Sequence, residues 1–521
     1  MFESSYLTLP QCEEDSDEHL FQYKQLKRWL KELPEDNQGE KARSLFNKIY
    51  QMNRIEMAAS DRLKGLELLF STFVPIQQFL YSRLTLNGFP LNEKSQRIGQ
   101  LLLDFGRQFV TGYLLMLDSL LAATKERRTS SDLTLTIQRL LRNLGSVLLI
   151  YYRFSLKQPA AIWRDMNKLF RLASKMKIAT AKVKDSALRY SDNTTIEETY
   201  KGIAILSIID PYGLTTSEIF DVHHLLEKWS PLVFLNSEAE RKLEWQVDLG
   251  ASRPPSFASD DEVGNGGKWL YSFEFDPLLR MVSDHRELVD AGLGRFNVKD
   301  EEHHREKLSL EFLEYLAKKV VGRKDKIEET FQKDREYRLA IGLKATHQYL
   351  NYQHESEKSV QGEWLATGGG GNRMCCDFSM SEQIAIGSLV SYSPAEDENA
   401  IRGLGVVKRI IMKDLTGTVF FEVDRLTAKV FAAGLQPNVK SSEKLTQYQR
   451  TLAFTRLTDG VAQHVMVVDP IKVSEGEHYR FLVEDDVFPI RLLNRIDIAL
   501  DCLGFEYEPI IEDNNRVASR V

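Results

Sequence analysis

The hydrophobic pattern changes period partway along this 521-residue chain, and no other sequence feature limits the fold as tightly. From about Leu20 to Leu235 apolar residues recur at steps of three and four, the spacing that gives a helix one buried face. Ile98, Leu102, Phe105, Phe109, Gly112 and Met116 form one such series, and Ile137, Leu140, Leu141, Leu144, Val147, Leu148 and Tyr151 a second. A third, Ile162, Met166, Leu169, Ala173 and Met176, carries Arg164, Lys168, Arg171, Lys175 and Lys177 on its other positions. Thr195 with Glu198, and Thr215 with Glu218, have the spacing of capping boxes and mark two helix starts. Between them DPYG (Asp210–Gly213) is a turn signal, because Pro pre-sets one backbone angle and Gly permits a positive φ. This half reads as stacked helical hairpins without a fixed repeat length.

After Gly362 the period falls to two. Ser388–Ser393, Leu404–Lys413, Thr418–Leu426, Tyr448–Leu457, Gln463–Asp469 and His478–Glu484 are β-rich runs separated by turn residues. Val419, Phe421 and Val423 alternate with Thr418, Phe420 and Glu422. Several short strands in one stretch argue for a small closed barrel, since closure removes exposed edges. Between the halves, Gly250–Gly267 has the composition of a linker or exposed loop, and Glu301–Val321 and about Lys324–Arg338 carry helical patterns. LAIGLKATHQYL reads as a strand or a helix start, IRLLNRIDIALDCL as a helix or a strand, and the stretch from Tyr448 onward as a second barrel or an extension of the first. The expected class is α+β: a flexible start (1–19), a helical domain (20–249), a linker (250–267), a mixed region (268–361) and a C-terminal β-barrel with a β extension (362–521).

Composition removes several functions. Hydrophobic residues make up 43% and charged residues 27%, ordinary values for a globular chain. The net charge of −7 argues against a general nucleic-acid binder, so no DNA or RNA partner is expected. Cys12, Cys375, Cys376 and Cys502 fit neither a disulfide framework nor a CxxC metal site. The acidic start MFESSYLTLPQCEEDSDEHL lacks the features of a signal peptide, and Leu144–Tyr152 is too short to span a bilayer. A cytoplasmic protein that does not enter the membrane itself is expected.

Catalytic motifs are missing from the sequence. His223–His224 and His303–His304 are adjacent pairs, whose side chains point about 100° apart on a helix and do not present two nitrogens to one metal. Thr367–Arg373, TGGGGNR, has glycines that can expose N–H groups to a phosphate, but it lacks the GK[ST] ending of a P-loop and reads as a flexible loop before a strand. Cys375 and Cys376 read as strand neighbours facing opposite sides. Neither an enzyme nor a resident cofactor or metal is expected.

The order of elements in the second half carries a more specific signal. Asp377-Phe378-Ser379 opens a segment, and IAIGSLVSY follows around Gly387. Then come LGVVKRI (Leu404–Ile410) and FFEVDRLTAKVFAAG (Phe420–Gly434). This order resembles the PilZ domain, a small β-barrel receptor for the bacterial second messenger cyclic di-GMP. In that family a D/NxSxxG motif precedes a glycine-opened strand, a GxVxR-type strand and an IGxxF/L-type strand. The resemblance covers about Trp364–Gly434. The helical half, with ELLFSTFVPIQQFLYSRL and YKGIAILSIIDPYGLTTSEIFDVHHLLEKW, is similar to the N-terminal region of multidomain, atypical PilZ-type proteins of proteobacteria.

The resemblance implies a cytoplasmic receptor in cyclic di-GMP signalling, tied to surface behaviour such as type IV pilus function, motility or biofilm formation. It also implies roles. The family's Asp/Asn and Ser hydrogen-bond a guanine, while an upstream RxxxR pair forks onto phosphates and stacks on purines. Asp377 and Ser379 match the first two motif positions, and Glu382 stands where the family has Gly. The RxxxR spacings Arg491/Arg495 and Arg516/Arg520 both lie downstream of Asp377. The candidate ligand cations are therefore Arg373, the RxxR pair Arg335 and Arg338, and Arg402, Lys408 and Arg409 beside the GVV strand. Two readings result: a cyclic di-GMP receptor whose helical half contacts a protein partner, or a helical scaffold whose degenerate barrel binds no nucleotide. Self-association is left open.

Overall fold

A computed structural model describes residues 2–13, 16–34, 36–84, 88–123, 130–237, 244–258, 269–290, 310–322, 330–352, 363–378, 383–397, 400–415, 418–437, 448–458, 461–469, 473–483, 486–499 and 502–510. The chain forms two compact units, Met1–Leu86 with Asn92–Asp325 and Asn87–Leu91 with Lys326–Val521. The class is α+β, with helices in the first unit and closed barrels in the second.

Eight helices run from α1 to α8: Tyr23–Lys31, Gln38–Met52, Ala59–Ser82, Glu93–Ala122, Ser130–Arg153, Ala160–Lys175, Ile196–Ile208 and Thr216–Trp229. The periodic series in α4 and α5 face inward: Phe105, Phe109, Ile137, Leu140 and Leu144 are at most 1% exposed. Burial of each such side chain contributes about 1.5–3 kcal/mol. Phe73 lies 4.5 Å from Phe105 and 5.3 Å from Phe109, which ties α3 to α4. Both capping boxes form. Thr195 Oγ1 accepts from the Glu198 N–H at 3.0 Å while Glu198 accepts from the Thr195 N–H at 2.9 Å, and Thr215 and Glu218 repeat the exchange at 3.3 and 2.7 Å. DPYG is a turn, but its left-handed residue is Asp210 at φ 62°, not the glycine.

The described part of Gly250–Gly267, up to Ala258, is a turn followed by an edge strand. Ser256–Phe257 pairs with Trp245–Asp248 in a four-stranded sheet completed by Leu270–Glu274 and Phe234–Asn236. Helices α9 (Asp276–Asp290) and α10 (Leu310–Val321) follow; His303 and His304 lie outside the described residues. No helix among the described residues is long and apolar enough to cross a membrane.

The second unit contains twelve barrel strands: β1 Glu336–Ile341, β2 Glu363–Gly370, β3 Arg373–Cys376, β4 Leu389–Pro394, β5 Gly403–Met412, β6 Val419–Thr427, β7 Phe431–Pro437, β8 Gln449–Thr458, β9 Val461–Val468, β10 His478–Val483, β11 Asp486–Ala499 and β12 Cys502–Pro509. The first six close into one antiparallel barrel and the last six into another. Val419, Phe421 and Val423 point inward at 0–2% exposure, as their alternation predicts. The helical expectation across Lys324–Arg338 fails at its described end, where Glu336–Arg338 begin β1. LAIGLKATHQYL is both things it suggested: the strand stops at Ile341, Gly342 turns at φ 80°, and α11 (Gly342–Tyr352) begins. TGGGGNR is not a loop before a strand, because Thr367–Gly370 end β2, Gly371 and Asn372 turn the hairpin and Arg373 opens β3, and the described residues of IRLLNRIDIALDCL are strand.

The barrels share a core. Leu343 of α11, Leu389, Leu404 and Val406 of the first barrel, and Leu452, Phe454, Val465 and Val467 of the second pack into one cluster. The segment Asn87–Leu91 also belongs to this unit: the Phe89 N–H donates to Ile384 O at 2.8 Å and the Ile384 N–H to Phe89 O at 2.9 Å.

Candidate functional site

One end of the first barrel is open. Antiparallel pairing brings there the start of β1, the end of β2, the start of β3, the end of β4, the start of β5 and the end of β6. The segment before β1 lies along the β2–β3 hairpin, held by Phe331 N–H to Gly371 O (2.7 Å), Asp334 N–H to Gly368 O (2.8 Å) and Gly368 N–H to Arg335 O (2.8 Å). The approach is so close that a Cβ on Gly368 would sit 2.1 Å from Gln332 O, so no larger residue fits. A cavity of about 620 Å³ opens between this segment, β4, β5 and β6. Phe331, Tyr337 and Tyr392 line it as an aromatic floor, with Phe331 edge-on to Tyr337 at 5.2 Å and to Tyr392 at 4.8 Å. Its charged lining is Lys333, Arg335 and Arg425, with no carboxylate among the described lining residues.

The sequence-selected residues distribute unevenly around this mouth. Arg335 lines it, its guanidinium paired with Glu396 and its Nη1 3.4 Å from Gln332 Oε1. Arg373 opens β3 at the same end, opposite Gly370 and Glu422. Glu422 faces Arg373 on one side and Arg409 on the other, with Arg409 Nη1 at 3.8 Å, a cross-strand row on the outer wall. Lys408 lies 3.5 Å from Asp424 on the same wall. Asp377 is four residues beyond Arg373, about 13 Å along an extended strand, and is exposed at the opposite end of the barrel. Ser379 and Glu382 lie outside the described residues. The structure therefore brings Arg335 and Arg373 to one end and does not bring Asp377 to them.

Arg338 and Arg402 belong to the framework. Arg338 Nε donates to Ala395 O at 3.3 Å, bracing β1 against the chain after β4. Arg402 is 2% exposed: its Nε donates to Ser391 Oγ at 3.0 Å, its Nη2 to Arg338 O at 3.2 Å, and its Nη1 lies 3.3 Å from Glu363. Its guanidinium also sits 3.7 Å from the Tyr349 ring centroid. Burial pulls its pKa below the usual arginine value, against the opposing pull of Tyr349 and Glu363. This arginine fastens α11 to the first barrel from beneath and does not face the cavity.

Lys333, Arg425 and the aromatic floor escape sequence reasoning because they come from separate stretches joined only by folding. The RxxR spacing is the local signal that singles out Arg335, although the helical pattern over Lys324–Arg338 hides the strand that begins beside it. Elsewhere, His224 Nδ1 lies 3.7 Å from Glu227, and burial with help from His224 and Arg153 pushes the His223 pKa down to about 3. That ring is neutral at physiological pH. Cys376 faces the first barrel's interior at 3% exposure while its neighbour Cys375 is partly exposed, on opposite faces as expected.

Comparison with known proteins agrees with the helical half. Residues 24–240 match the family model described as the N-terminal domain of the cyclic-di-GMP receptor FimW. The curated cyclic-di-GMP receptor FimW of Pseudomonas aeruginosa is 24% identical over 338 residues, which take in 63% of this chain and 53% of that protein. The chain thus spans about half the length of the curated relative it matches. No solved structure matches.

Proposed function

We propose that the chain is a cyclic di-GMP receptor whose ligand enters the open mouth of the first barrel, and that it acts by binding and not by catalysis. The observation that carries this reading is the cavity itself: three cations and no carboxylate, among the described residues, around a floor of three rings. Cyclic di-GMP presents two phosphodiester anions and two planar purines. Guanidinium groups at Arg335 and Arg425 supply forked donors to such phosphates, Lys333 supplies a point charge, and the floor supplies apolar contact for a base. The volume falls within the range of small-molecule sites, about 300–1,000 Å³. The similarity of the helical half to a domain named for cyclic di-GMP reception supports the same ligand.

Arg335 is held by Glu396, so the nucleotide must displace a carboxylate. That exchange gives the ligand a way to favour one arrangement of the loops at the mouth over another, which coupling requires. In this reading the protein works in the cytoplasm, its barrel is of PilZ type, and its helical half passes the bound state to a protein partner that controls surface behaviour such as pilus function, motility or biofilm formation.

Calorimetric titration of cyclic di-GMP into the purified chain tests the proposal. The expected result is micromolar or tighter binding, about −8 kcal/mol or better, weakened in both Arg335→Ala and Arg425→Ala. Absence of heat at millimolar nucleotide would leave the helical scaffold with an inactive barrel as the surviving account.

A further inference from the structure

A cavity of about 640 Å³ opens in the helical unit, between α3, the start of α5 and the strand Val183–Lys184. Its charged lining is Arg139, Lys182 and Lys184 against Glu67, three cations to one carboxylate. That carboxylate is already engaged. Arg139 Nε and Nη2 reach both Glu67 oxygens at 2.8–3.1 Å, and the Tyr113 hydroxyl donates to Glu67 at 2.5 Å. Asp185, the buried neighbour of Lys184, is held by Arg142 at 2.8 Å and Arg139 at 3.2 Å. Burial alone would raise both carboxyl pKa values. The two arginines outweigh it, and both groups stay below their usual range and ionised.

The buried charges therefore cancel among themselves, and the exposed ammonium groups of Lys182 and Lys184 are left over. They are two residues apart, so extended backbone puts them on one face, and both line the cavity. Leu135 supplies an apolar wall and Ser186 a hydroxyl. Two surplus ammonium charges on one face suit a doubly charged phosphate better than a single carboxylate.

We propose that this cavity binds a small organic phosphate, with Lys182 and Lys184 on the phosphate and the body of the molecule against Leu135. The site is separate from the barrel mouth and does not depend on what the barrel binds.

The test is calorimetric titration of GMP and of inorganic pyrophosphate into the full chain carrying Arg335→Ala, which weakens the barrel mouth. Both probes are expected to bind, GMP with a Kd below about 1 mM, and the further double change Lys182→Glu/Lys184→Glu weakens both at least about tenfold. Because the lysines are exposed, the melting temperature of that variant stays near that of its parent. Leu135→Trp fills the cavity without altering charge and is expected to abolish GMP binding. No heat from either probe at about 10 mM, or binding that survives both the charge reversal and Leu135→Trp, would overturn the proposal. So would GMP binding that is present in the unaltered chain and lost with Arg335→Ala alone, because it would place the ligand in the barrel.

Discussion

The first barrel joins its strands in the order 1-2-3-6-5-4 before closing, and the second, from β7 to β12, repeats that order strand for strand. In each, the fourth strand begins two residues after a positive-φ glycine, Gly387 at 82° and Gly476 at 78°. Their ends are nevertheless unlike. The first barrel leaves Lys333, Arg335 and Arg425 around an open cavity. In the second, Arg456 lies 3.1 Å from Glu506, Arg491 3.9 Å from Glu508 and Arg495 3.9 Å from Asp497, while Tyr479, Phe481, Phe505 and Tyr507 fill the interior. The same winding carries a candidate site in one case and a filled aromatic interior in the other. A site is made by what the loops and strand ends bring together, not by topology.

Changes that act on one barrel and spare the other should show this. Phe481→Ala removes a fully buried ring from the second barrel and is expected to cost about 3–5 kcal/mol, seen as a lower urea midpoint. Nucleotide affinity measured in the cold, where the chain stays folded, should be unchanged. Arg335→Ala and Arg425→Ala act the other way, each weakening cyclic di-GMP by about tenfold or more, the value of a charge-assisted contact, with little effect on stability. Arg456→Ala in the second barrel should leave affinity within about twofold, because a partly exposed pair contributes little.

Arg402→Ala should destabilise the first barrel and its bond to α11 by about 2 kcal/mol, less than a fully buried pair because the Glu363 side chain keeps 22% of its exposure. Chemical denaturation of this variant beside the double variant with Glu363→Gln should recover part of the loss. Glu396→Gln frees Arg335 and is expected to tighten cyclic di-GMP by about threefold, in line with an exposed ion pair. Asp377→Ala, at the far end of the barrel, should change affinity least of all.

The helical half was legible because its signals are local. A capping box needs four consecutive residues, and both boxes read from sequence formed. A series such as Ile137 to Tyr151 needs only its own helix to define a buried face. The strands were legible where side chains alternate, as in Val419–Val423, and were missed where they do not. Glu363–Gly370 ends in glycines with low strand preference, yet ladders to β1 and β3 hold it in place. Glu336–Ile341 was hidden by a helical pattern running into it, since six residues are too few for Tyr337 and Leu339 to announce a period of two. At the site, Arg335 was found through the RxxR pair. Lys333, Arg425 and Tyr392 were not, because only barrel closure makes them neighbours. Arg402 is singled out by its charge beside the GVV strand, and no local signal shows that Tyr349 and Glu363 surround it.

Hydrogen exchange of the full chain with and without cyclic di-GMP tests the difference between the barrels most directly. The account predicts that bound nucleotide slows exchange in residues 330–335, 401–403 and 425–428, at the first barrel's mouth, and leaves the second barrel unchanged. Protection confined to the chain around Asp377, or appearing in the second barrel, would contradict it.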